Sequence, residues 1–173
     1  MCFEHNPGNY RPLPVLSNHK CFGCSPVNAS GLQMKFFTND KSLFSWVTVP
    51  NHLCGWDRLV HGGVISTMLD EIMSWSAIFM LERIILTKSI TVDFIKPVFI
   101  DNELTIEGKV LEEKSEREVI MEGFLYNRKG ELCSRSKGTF ALFTPGAAIK
   151  MGILNEEDVK DFEQLFNAVK RGA

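Results

Sequence analysis

His61-Gly62-Gly63-Val64-Ile65-Ser66-Thr67-Met68-Leu69-Asp70-Glu71 decides how the rest of the chain is read, together with the apolar run that carries it on to Met80. Two glycines open a long helix. The first N–H groups of a helix have no intrahelical partner and carry positive partial charge. Glycine lets a ligand come close to that backbone. Residues 61–63 therefore form a candidate site for an oxygen that gains negative charge during a reaction. The helix is apolar on most faces, through Val64, Ile65, Met68, Leu69, Ile72, Met73, Trp75, Ile78, Phe79 and Met80. A helix of that kind is wrapped by other elements, and cover beyond one sheet implies a second subunit. Asp70 and Glu71 interrupt it. They point about 100° apart, so at most one lies on the apolar stripe. A plainer reading stands beside this one: a tight strand-to-helix turn followed by a solvated or paired Asp.

Outward from the helix, the pattern is that of strands. On the N-terminal side, Leu32–Phe36 alternates, Thr38–Lys41 is a turn, and Leu43–Val49 is a second strand ended by Pro50. The loop 51–60 holds His52, Gly55 and Trp56. On the C-terminal side, Thr87–Lys96 alternates strictly. Ile90, Val92 and Phe94 share a face with Lys88, and Ser89, Thr91, Asp93 and Ile95 share the other. Three more segments follow: Glu103–Glu113, Arg117–Tyr126 and Leu132–Phe143, with a hairpin turn at Asn127-Arg128-Lys129-Gly130. A hairpin, one buried helix and four antiparallel strands make an α+β domain, with an antiparallel sheet wrapped around one long central helix.

The expected organisation is an irregular N-terminal extension over residues 1–20, a domain over 21–145, and a linker with a C-terminal amphipathic helix over 146–173. Asn155 reads as an N-cap before Glu156-Glu157-Asp158. Val159, Phe162, Leu165, Phe166 and Val169 form the apolar stripe, and Lys170 and Arg171 suit the C-terminal end. The chain of 173 residues can hold a sizeable core. Net charge is −2 with signs mixed, which argues against nucleic acid or an anionic membrane as partner. The run 64–86 contains Asp70, Glu71, Glu82 and Arg83, so it reads as a core helix and not a membrane span. The start of the chain lacks a basic-then-apolar signal. Five cysteines, an odd count, suit a reducing, cytoplasmic setting.

Cys21-Phe22-Gly23-Cys24 can be half of a zinc site or a redox pair. Zinc needs about four ligands. No second C-x-x-C is present, although Cys2, His5 and His19 are near in sequence. The redox reading needs a strand-to-helix context that Ser25-Pro26 does not supply. The preferred reading is a turn-rich loop with small buried thiols, and no metal ligand is assigned.

These features taken in order resemble hotdog-fold acyl-CoA thioesterases, in the phenylacetyl-CoA and 4-hydroxybenzoyl-CoA thioesterase-like branch. The resemblance covers roughly residues 21–143. It rests on Cys21-Phe22-Gly23-Cys24 with Asn28 and Gly31-Leu32, on Val60–Ile65 with Asp70-Glu71, on the strand Thr87–Phe94 running into Lys96-Pro97-Val98, and on Gly130 before the strand ending Lys137–Phe140.

The resemblance implies hydrolysis of an acyl-CoA thioester by a cytoplasmic homodimer, which can pair into a homotetramer. No cofactor is expected, since coenzyme A is part of the substrate. Gly62 N–H would polarise the carbonyl. Asp70, from the other subunit, would act as base or nucleophile. Thr87 would orient water, with Ser89 able to substitute. His61 would support the site, and Gly63 and Glu71 would line it. Gly55 stands where many relatives carry Asn or Gln. Lys88, Lys96 and Arg128 are candidates for the coenzyme A phosphates. Two other readings keep the fold: a non-catalytic acyl-CoA binding module, and a hydratase or dehydratase, which the His-Gly-Gly spacing disfavours.

Overall fold

The computed structural model describes residues 10–16 and 19–170, with only the backbone of 168–170. Its sheet runs in the order β1 (Arg11–Pro12), β2 (Phe37–Thr38), β3 (Leu43–Thr48), β5 (Glu103–Ser115), β6 (Glu118–Tyr126), β7 (Leu132–Phe143), β4 (Ile84–Phe94). Every neighbouring pair is antiparallel. The central helix α1 spans Gly62–Leu81 and lies across the sheet. It ends where Glu82 turns left-handed, at φ 51°, and hands the chain to β4. This is the hotdog fold that the sequence implies.

Along α1, Met68, Leu69, Ile72, Met73 and Ala77 are fully buried. The helix is long and apolar enough to cross a membrane by composition, and most of it is buried inside the fold instead. One face meets the sheet at Ile106, Val119, Met121 and Phe140, all without exposure. The contact is close. A Cβ on Gly108 would come within 2.7 Å of the Ile72 carbonyl oxygen, so β5 admits only glycine there. The far face is covered within the same chain. Phe36 stacks on Trp75 at 4.9 Å, and Leu165 and Phe166 of the C-terminal helix α3 (Glu156–Lys170) join the same core. The apolarity of α1 therefore does not itself call for a second subunit, contrary to the sequence-based expectation.

Three further details differ from that expectation. Residues 32–36 are extended but belong to no strand. Their backbone bonds the preceding loop and the N-terminal segment: Leu32 N–H to Phe22 O, Met34 N–H to Gly23 O, and Leu13 N–H to Phe36 O. The expected linker opens with a helix, α2 (Pro145–Lys150), capped by Thr144, whose Oγ1 accepts from Ala147 N–H at 3.3 Å. Proline at the first helical position suits that start. α3 is capped as expected: Asn155 Oδ1 accepts from Glu157 and Asp158 N–H at 2.8 and 2.9 Å. The side chain of Val169, with Cys2, His5 and Arg171, lies outside the described residues.

The third difference bears on the site. β4 is not strictly alternating. Thr87 pairs with Phe140 and Ser89 with Thr139, so two steps on β4 oppose one on β7. This β-bulge shifts the phase of the strand. Thr87 faces α1 alongside buried Phe140, while Ser89, Thr91 and Asp93 line a groove on the outer face with Lys137 and Thr139. Lys88, the added residue, leaves the face of Ile90 and Val92 and pairs with Glu118.

Candidate active site

α1 begins at the end of a loop that is fixed on both sides. Val60 N–H bonds Val98 O at 2.9 Å, and His61 N–H bonds Leu53 O at 3.2 Å. His61 is the N-cap, and its Nδ1 accepts from Gly63 N–H at 3.0 Å. Val64 and Ile65 N–H are satisfied by His61 O. Gly62 N–H has no acceptor among the described residues. Of the two glycines, the first is thus the open donor, and the second is engaged by its own cap. Gly55 lies against the His61 backbone, where a Cβ would stand 3.2 Å from His61 Cα. In this structure it shapes the turn before the helix.

Two turns along α1, Thr87 Oγ1 donates to Asp70 Oδ1 at 2.9 Å. Burial raises the Asp70 carboxyl above its ordinary range, and the Thr87 bond holds it partly down. A carboxyl displaced upward is a stronger proton acceptor than a solvated one. Asp70, Glu71 and Thr87 open into a cavity of about 400 Å³ whose apolar wall includes Leu16, Trp75, Ile78, Ile85, Leu154 and Phe162. Glu71 does not share the role of Asp70. It turns to the N-terminal loop, where its Oε1 lies 3.1 Å from Cys21 Sγ, and burial pushes its carboxyl up to about 8.

The structure thus brings Asp70, Thr87 and Glu71 together and leaves Ser89 on the other side of the sheet. Sequence reasoning did not find the wall supplied by α3. An amphipathic stripe shows that a helix docks, not where. Nor did it find Cys21 beside Glu71, fifty residues apart in sequence. Of the basic candidates, Lys88 is taken by Glu118 and Lys96 bonds Glu131 at 2.7 Å. Lys96 and Arg128 line a second cavity of about 320 Å³ with Pro97 and Phe99, and Val98 between them bonds the loop before His61.

Gly62 and Asp70 sit eight residues apart on one straight helix, roughly 12 Å along its axis. One carbonyl cannot touch both.

A long helix wrapped by an antiparallel sheet defines the class by its fold: a hotdog-fold protein. Residues 58–134 match the family model described as the Thioesterase superfamily. A solved thioesterase superfamily protein superposes with a TM-score of 0.65 at 20% identity, over 75% of this chain and 69% of that one. The E. coli PaaI protein, from the phenylacetic acid degradation operon, gives 0.59 at 17% identity, over 65% and 80%. A Streptococcus mutans protein bound to acetyl CoA gives 0.64 at 14% identity, over 76% and 98%. No curated protein matches. The resemblance to hotdog thioesterases holds in the family model and in the fold.

Proposed function

We propose that the chain hydrolyses acyl-CoA thioesters in a site completed by a second copy of itself. The observation that carries this reading is the Thr87–Asp70 hydrogen bond at the mouth of the α1 cavity, with the open Gly62 N–H on the same helix. The thioester carbonyl accepts a hydrogen bond from Gly62 N–H of one subunit. Water held by Thr87 and Asp70 of the other attacks the carbonyl carbon, and Asp70 takes its proton. The oxyanion rests on Gly62 N–H, a contribution of about 3 kcal/mol for one such donor. Collapse breaks the C–S bond, and coenzyme A leaves as a thiolate that regains a proton. If Asp70 attacks directly, a mixed anhydride forms and is then hydrolysed. Mass spectrometry of a quenched single turnover separates the routes, because only the second leaves an acyl group on Asp70.

The edge of the sheet supports the dimer. β4 is the outermost strand, eleven residues long, with no strand beyond it among the described residues. It carries exposed Leu86 and Phe94. Long apolar edges recruit another chain. Phe94 also lies beside Gly62, within 3.7 Å of where a Cβ would stand. The edge thus adjoins the open donor. Replacing Leu86 and Phe94 together by Glu is expected to yield monomers in sedimentation and to remove turnover. An active monomer would sink the composite site.

Assay of free thiol release from short, long and aromatic acyl-CoAs tests the reaction itself. Binding without release across the panel would favour the non-catalytic acyl-CoA module. Thr87→Ala is expected to slow turnover about tenfold, the worth of one hydrogen bond to a charged group. Thr87→Ser is expected to restore most of the rate. Equal losses in both variants would show that packing of the Thr87 methyl matters, not its hydroxyl.

A further inference from the structure

The proposed reaction leaves one chemically loaded cluster unused. His19, Cys21 and Cys24 place their ligand atoms within 4.8 Å of one another. Glu71 enters the same cluster from α1, with Oε1 3.1 Å from Cys21 Sγ. Around a tetrahedral zinc with bonds of about 2.0–2.3 Å, ligand atoms stand roughly 3.3–3.8 Å apart. The separations, at most 4.8 Å among the first three and 3.1 Å between Glu71 and Cys21, lie near that range, so small side-chain rotations would close the shell. We propose that His19, Cys21, Cys24 and Glu71 bind one zinc ion, which staples the N-terminal loop to the central helix.

Four observations converge on the cluster. Both sulfurs accept N–H donors: Gly23 N–H reaches Cys21 Sγ at 3.3 Å, and Trp75 Nε1–H reaches Cys24 Sγ at 3.3 Å. Such donors stabilise thiolates and orient them toward a metal. The His19 ring is held at the loop, its Nδ1 accepting from Cys21 N–H at 3.3 Å. The loop presses on the carboxylate, since any Cβ on Gly23 would overlap the Glu71 side chain. Finally, Glu71 lies beside Cys21, Cys24 and Asp70. Two thiolates and a carboxylate in one half-buried place carry three negative charges, which a divalent ion largely offsets.

Two thiolates, an imidazole and a carboxylate select zinc over magnesium or calcium, which take oxygen ligands. Four protein ligands leave no open position, so the ion is structural. It would fix Glu71 and, through the helix, the wall of the cavity that Asp70 faces. The sequence supplies three of these ligands within six residues. Only the fold supplies the fourth.

The test is metal content of the untagged full chain, reduced, incubated with zinc and desalted. One zinc per chain is expected. Cys21→Ser with Cys24→Ser, and separately His19→Ala, are expected to lose most of it. His19 is only half-buried, so its variant is expected to keep the fold even if the double variant does not. Circular dichroism checks this. Cobalt in place of zinc is expected to give a thiolate charge-transfer band that the double variant lacks. Chelation is expected to lower Tm in the wild type only. Wild-type protein that retains no zinc, or His19→Ala that retains as much as wild type, overturns the proposal. These readouts do not involve thioester turnover, so they stand or fall apart from the catalytic reading.

Discussion

Asp70→Asn lowers kcat for acyl-CoA hydrolysis by about 10²–10⁴-fold, the range for loss of a positioned general base, while the protein stays folded. The argument runs through the surroundings of the side chain. Asp70 is the acceptor of the Thr87 hydroxyl and faces a cavity with an apolar wall. Asparagine has the same shape and keeps an oxygen for Thr87, so the packing survives. It cannot take a proton from water or attack a carbonyl. The charge removed is one that burial already disfavours, so no stability is expected to be lost with it. Thiol release by wild type and variant, side by side on the best acyl-CoA, measures the effect. Variant turnover within a few-fold of wild type would move the base elsewhere.

Gly108→Val is expected to abolish folding or to destabilise by more than about 3 kcal/mol, beyond the usual range for overpacking. A single Cβ there would stand 2.5 Å from Ser76 Oγ and 2.7 Å from Ile72 O. Ser76 Oγ is itself bonded to Ile72 O at 2.7 Å, and both lie on α1. The obstacle is helix backbone, which cannot turn aside as a flexible side chain can. Relief would require the helix to lift off β5 along its most tightly packed stretch. Urea unfolding of Gly108→Ala and Gly108→Val measures this. A valine variant as stable as wild type would mean that helix and sheet are not in contact there.

The helix and the long strands were legible because their patterns are local. Gly62-Gly63 opens a run with apolar residues on nearly every face, and β5, β6 and β7 alternate between turn signals. Asp70, Gly62 and Thr87 could be named because their spacing on the helix and next strand matches the resemblance. What escaped the sequence is of another kind. The bulge in β4 leaves no mark, since Thr87-Lys88-Ser89 reads equally well as plain alternation. Ser89 was placed with Thr87 for that reason. Residues 32–36 have a strand's pattern but spend their backbone bonds on a loop. The Thr144-Pro145 start of α2 was visible as a cap and a first-turn proline, and the Gly/Ala composition after it obscured the signal. The contacts of Glu71 with Cys21 and of α3 with the cavity depend on the tertiary fold alone.

The extra residue in β4 also governs which length changes the strand tolerates. Upstream of it, Ile85 and Thr87 turn toward the helix at odd numbers. Downstream, Ile90 and Val92 do so at even ones. Deleting Lys88 would remove the bulge and leave the two halves in step, with Thr87 and Ile90 still toward the helix. Deleting Leu86 or Thr91 instead would oppose the parities: either the hydroxyl would leave the carboxylate, or the distal apolar residues would turn to water. A length change in the 95–102 connection meets no such conflict, because no pairing of β4 has to be kept in step across it. Single-residue deletions scanned along β4 are therefore expected to fail on either side of the bulge and to be accepted at Lys88.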